Sequence, residues 1–80
     1  MTKNLQVGDA KIAKEIAIEA SRSMWRYVIP DSFVEAQFDD FRNCWTVVAD
    51  YFEERLMFRI DAGTGNVSAF RLRKQGSQEQ

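Results

Sequence analysis

With 80 residues, 11 basic and 12 acidic side chains, the chain is long enough for one small domain and no more. Its hydrophobic content of 45% is too high for a disordered segment and sufficient for a single core. No apolar run approaches the roughly 18–20 residues that a membrane-spanning helix needs, and a formal net charge of −1 lacks the basic excess of a dedicated nucleic-acid binder.

Histidine is absent, which removes the commonest general base and every imidazole metal ligand. Cys44 is the lone cysteine, so neither an internal disulfide nor a cysteine-rich zinc site can form. Gly63-Thr64-Gly65 lacks the third glycine and the following helix of a phosphate-binding loop. No enzyme activity and no cofactor are expected. The first eight residues contain no apolar signal region, so a cytoplasmic location is expected.

Asp9 is a candidate N-cap, and the pattern after it is helical. Ile12, Ala13, Ile16, Ala17, Ala20, Met24 and Tyr27 recur at three- and four-residue steps. The spacing predicts a helix over 9–28, closed by Pro30, which drives Ile29 toward extended backbone. After Pro30 the period becomes two. A first strand runs through Val34, Ala36 and Phe38, then Asp39 to Asn43 supply turn chemistry. A second strand carries Trp45, Val47, Ala49 and Tyr51, and a third, after Glu53-Glu54, carries Leu56, Phe58 and Ile60. A glycine-bearing loop over 62–66 leads into a fourth strand over 67–73.

Short loops between successive strands make neighbours antiparallel, so the expected fold class is α+β: one helix packed on one face of a β-meander. Residues 1–8 are expected to be flexible, 9–74 to form the domain, and 75–80 to be a disordered tail. The apolar faces align if Tyr51 lies opposite Leu56, Ala49 opposite Phe58 and Val47 opposite Ile60. Across the last hairpin, Phe58 opposite Phe70 and Leu56 opposite Leu72 keep the same face, through an odd-numbered loop with Gly63 or Gly65 at positive φ. The expected core is Ile12, Ile16, Ala20, Met24, Val34, Phe38, Trp45, Val47, Phe58, Ile60 and Phe70.

Trp45-Thr46-Val47, followed by Ile60-Asp61-Ala62-Gly63-Thr64-Gly65-Asn66-Val67, resembles the PepSY family over roughly residues 10–73. The resemblance implies a module without an active site, of a kind found beside proteases and in envelope proteins, where a role in binding or restraining peptidases has been proposed. The W-x-V strand and the arginine-bearing strand Phe70-Arg71-Leu72-Arg73 are also similar, more weakly, to the gas vesicle accessory protein GvpO. That similarity implies a structural or assembly role as a homo-oligomer.

In the register above, Val48, Phe52, Met57, Arg59 and Arg71 are the expected binding residues on the sheet face that the helix leaves open, a face that also carries Phe33, Arg55 and Arg73. Apolar anchors beside forked cationic donors suit a protein partner, either another protein or a second copy. Asp39, Asp40 and Asp61 fall on turns at one end of the sheet and are weak candidates for a cation site. Glu53 and Glu54 are adjacent on a turn and point apart, which does not suit acid–base work. Cys44 has no imidazole to activate it and reads as an inert thiol.

Overall fold

A computed structural model describes residues 7–73; the expectations for residues 1–6 and 74–80 lie outside the described residues. Helix α1 (Ala10–Trp25) leads through a short 3-10 turn (Asp31–Phe33) into four strands: β1 (Val34–Asp39), β2 (Cys44–Tyr51), β3 (Glu54–Asp61) and β4 (Val67–Arg73). The strands form an antiparallel meander in the order β1-β2-β3-β4, with α1 packed on one face. The α+β architecture is therefore the one the change of period from 3.6 to 2 predicts. Among the described residues, no helix is long and apolar enough to cross a membrane.

Asp9 caps α1 as expected, its Oδ1 accepting the Ile12 N–H at 2.9 Å. The helix ends at Trp25, however, three residues before the predicted boundary. Arg26 takes left-handed backbone, φ 64, and its N–H donates to the Arg22 carbonyl at 3.0 Å. A left-handed cap ends a helix without help from proline, so Pro30 instead leads into the 3-10 turn.

The helix also lies on the sheet by a narrower stripe than expected. Ala13, Ala17 and Ser21, four residues apart, are its buried residues, while Ile16, Ile18 and Ala20 are half-buried at their flanks. Small side chains along that line let the helix backbone approach the strands closely. Ile12 and Met24, expected in the core, point away from it and are exposed. Beneath the helix lie Val34, Val47, Ala49, Leu56, Phe58 and Ile60, all buried. Full burial of each large member contributes about 1.5–3 kcal/mol. Val7, in the segment expected to be flexible, is buried too: its N–H donates to Ala62 O at 3.1 Å and its carbonyl accepts from Trp45 Nε1 at 3.0 Å.

Two registers differ from the predicted ones. Between β2 and β3 the partners are Val47↔Phe58, Ala49↔Leu56 and Tyr51↔Glu54. This is a two-residue shift that closes the hairpin to a two-residue loop and leaves every face unchanged. Between β3 and β4 the shift is one residue: Phe58↔Ala69, Met57↔Phe70 and Leu56↔Arg71. A one-residue slip turns every side chain of a strand over. Phe70 and Leu72 therefore leave the core for the open face, where they are 46% and 48% exposed. Arg71 and Arg73 move to the helix side. Phe38, at the end of β1, is likewise exposed, its ring 5.0 Å from that of Trp45.

Loop geometry accounts for the slip. Asp61 Oδ1 accepts the N–H groups of Gly63 (2.8 Å) and Thr64 (2.9 Å), and Asp61 N–H donates to Asn66 O at 2.9 Å. Gly65 takes the left-handed position at φ 83, as expected of one of the two glycines, but it closes an even, four-residue loop. The β1–β2 loop is built alike. Asp39 Oδ1 accepts from Phe41 and Arg42 N–H, and Asn43 occupies the left-handed position at φ 53. The two loops are joined by Ala62 N–H donating to Asn43 O at 3.1 Å.

Two substitutions test this packing. Ser21 Oγ is buried with no hydrogen-bond partner among the described residues, so Ser21→Ala should stabilise the domain by about 1 kcal/mol in chemical denaturation. Arg26→Gly relieves a left-handed backbone that costs a non-glycine residue about 1 kcal/mol, and should raise the melting temperature by roughly 4–8 °C.

Candidate functional site

The strand registers lay out the sheet face opposite α1 as rows of side chains. One row runs Glu35–Val48–Met57–Phe70 across all four strands. Flanking rows run Gln37–Thr46–Arg59–Ser68 and Asp50–Arg55–Leu72. Adjacent strands lie about 4.8 Å apart, so Val48, Met57 and Phe70 form one continuous apolar band. Val48 and Met57 are half-buried between their neighbours, and Leu72 extends the band on β4. Phe33, 55% exposed, lines a groove of about 380 Å³ at the β1 side with Glu35, Val48, Asp50 and Arg55.

Charge on this face is split. Arg55 Nε lies 3.1 Å from Asp50 Oδ1, a surface pair worth little by itself that nevertheless neutralises Arg55. Arg59 is exposed and makes no ion pair among the described residues. Of the five expected binding residues, the structure brings together Val48, Met57 and Arg59 on the open face. It places Phe52 and Arg71 elsewhere.

Phe52 stands in the two-residue loop between β2 and β3, 82% exposed, with φ 58. Its ring meets Tyr51 edge-on at 4.6 Å, on the helix side of the sheet. Arg71 also lies on the helix side, a consequence of the β4 slip. Its guanidinium carbon sits 5.5 Å from the Trp25 ring centroid, its Nη1 donates to Tyr27 Oη at 3.3 Å, and its Nε is 3.8 Å from Glu54 Oε1. Tyr27 Oη in turn donates to Glu54 Oε1 at 3.1 Å. The Tyr27 and Tyr51 rings pack with centroids 4.6 Å apart, tilted by 32°. Tyr27, Tyr51, Phe52, Glu53, Glu54 and Arg73 line an open groove of about 560 Å³ at this end of the molecule.

Phe70 and Leu72 were missed as face residues because alternation alone placed them in the core. The spacing of the loops held the missing signal. An aspartate four residues before Asn43 and another four before Gly65 mark two loops of equal length. Both are even, and even loops keep the parity that turns Phe70 outward.

The three carboxylates considered for a cation do not converge. Asp39 and Asp61 each accept N–H groups of their own loop, and no group of three acidic or cysteine side chains that could hold a metal occurs among the described residues. Cys44 is buried at the start of β2, in register between Asp39 and Asp61. The Asp61 carboxyl is held below the ordinary carboxylate range by the Thr64 and then the Gly63 N–H groups.

A carboxyl whose pKa is depressed in the folded state stabilises the fold above its unfolded pKa, and that contribution fades as pH falls through the folded value. Asp61→Ala should therefore melt below wild type at neutral pH, and the two curves should converge as the pH drops below the usual carboxylate range. No family model, curated protein or solved structure matches the chain.

Proposed function

We propose that the chain is a small, non-enzymatic protein-binding or regulatory module, PepSY-like in kind, acting in the cytoplasm through the open face of its sheet. The observation that carries this reading is the apolar band Val48–Met57–Phe70, which no element among the described residues covers. Apolar side chains in a continuous row beside an arginine that has no ion pair among the described residues combine affinity with orientation, as protein interfaces do. The absence of histidine supports a binding role over catalysis. The W-x-V strand and the Asp61-to-Asn66 hairpin, which carry the PepSY resemblance, are in accord with it.

A second reading, assembly with copies of itself, is favoured by the two strand edges, β1 and β4, that no strand pairs with among the described residues and that allow a sheet to extend from one molecule to the next. Light scattering across a concentration series separates the two, since a binder without its partner stays monomeric.

Met57→Asp combined with Arg59→Glu tests the face. Both side chains point away from the core strand positions Leu56 and Phe58, so the double variant should lose about 1 kcal/mol of stability or less. Partner capture or self-association should be abolished. If the variant folds and associates as wild type does, the binding surface lies elsewhere.

A further inference from the structure

Beyond the face lies the free edge of β4, and the geometry points to it as the docking site for an extended polypeptide strand in which acidic and apolar residues alternate. This inference rests on the protein-binding reading and names the chemistry of the partner. Among the described residues β4 ends the sheet, and one row of its backbone N–H and C=O groups has no strand beside it there. All its residues but Ala69 are exposed, and it contains neither proline nor acidic side chain. Natural sheets blunt a free edge with proline, bulges or charged side chains, and of these β4 carries only its two arginines, whose charge an added strand must match. One of them, Arg71, lies over Trp25 with its Nε 3.8 Å from Glu54 Oε1.

The side chains of β4 specify what a fifth strand must carry. On the helix side stand Arg71 and Arg73; on the open side stand Ser68, Phe70 and Leu72. Arg71 shares its charge with Glu54, but its Nη2 has no partner among the described residues, and Arg73 makes no ion pair there. Residues directly opposite across a new strand pair would bring Cβ atoms to about 5 Å, within reach of a guanidinium fork. Alternation of side chains then dictates the partner's pattern: carboxylates on the helix side, apolar residues beside Phe70 and Leu72. Main-chain hydrogen bonds hold such a strand, and the alternating side chains select it.

Two blocked peptides test this: Ser-Glu-Val-Glu-Val-Glu-Ser and its lysine counterpart, Ser-Lys-Val-Lys-Val-Lys-Ser. Amide hydrogen exchange and backbone chemical shifts are followed for Val67–Arg73. The glutamate peptide should slow exchange along β4 and bind roughly tenfold more tightly than the lysine peptide. Arg73→Glu should reverse that order, and Arg73→Gln, which adds no charge opposite Glu54, should fall between. Equal binding of both peptides, or an unchanged preference in Arg73→Glu, would overturn the inference. Shifts confined to Val48 and Met57 would overturn the edge while leaving the protein-binding reading standing. Protection of β4 that grows with protein concentration alone would assign the edge to a second copy, and would overturn it too.

Discussion

The Asp61 carboxylate and the four-residue loop it organises decide what this sheet shows to solvent. By accepting two N–H groups of its own loop, Asp61 sets the number of residues between β3 and β4, and that number sets which way every β4 side chain points. With an even loop, Phe70 and Leu72 join Met57 on the open face, while Arg71 reaches under the end of α1. An odd loop would invert both statements. The composition of the open face therefore follows from a turn that contributes no side chain to it. Linkage to the matching Asp39 loop, through Ala62 and Asn43, ties that end of the sheet together.

A single helix can cover only part of a four-stranded sheet, and the small residues Ala13, Ala17 and Ser21 bring it close to the inner strands. Val47, Leu56, Phe58 and Ile60 gain full burial from that approach. β4 gains almost none, since only Ala69 is even half-buried there. The outermost strand is thus held by its backbone pairing with β3 and by Arg71. Among the described residues nothing covers the second sheet face, so the core and the open apolar band lie on opposite sides of one layer.

At the far end of the sheet a chain of rings runs from Phe58 through Trp25, Tyr27 and Tyr51 to Phe52. Arg71 and Glu54 close it with charge, and Tyr27 Oη sits between them as both donor and acceptor. This cluster fixes the segment that follows the left-handed cap at Arg26, and so orients the path from the helix into β1. It also holds the β4 guanidinium inward.

Local chemistry was legible from the residues alone. Asp9 before an apolar stripe, a period that changes after Pro30, and aspartate, asparagine and glycine at the turns gave helix, strands, their order and the fold class. Val48, Met57 and Arg59 were placed correctly because a shift of two residues between β2 and β3 does not change a face. Phe70, Leu72 and Arg71 were not, because their positions depend on the parity of the β3–β4 loop, which is set by hydrogen bonds between groups several residues apart. Phe52 was not, because the tight β2–β3 hairpin takes it out of the strand into a left-handed turn position. Hydrophobic alternation could not reveal this, since β4 alternates Phe70 and Leu72 with arginines and reads most simply as apolar side inward. The helix boundary escaped for a related reason: a left-handed Arg26 is imposed by the packing of Trp25 and Tyr27, not by the intrinsic preference of arginine. Periodicity determines which residues share a face; only the assembled structure, by closing each loop at a definite length against its neighbours, decides which face meets the core.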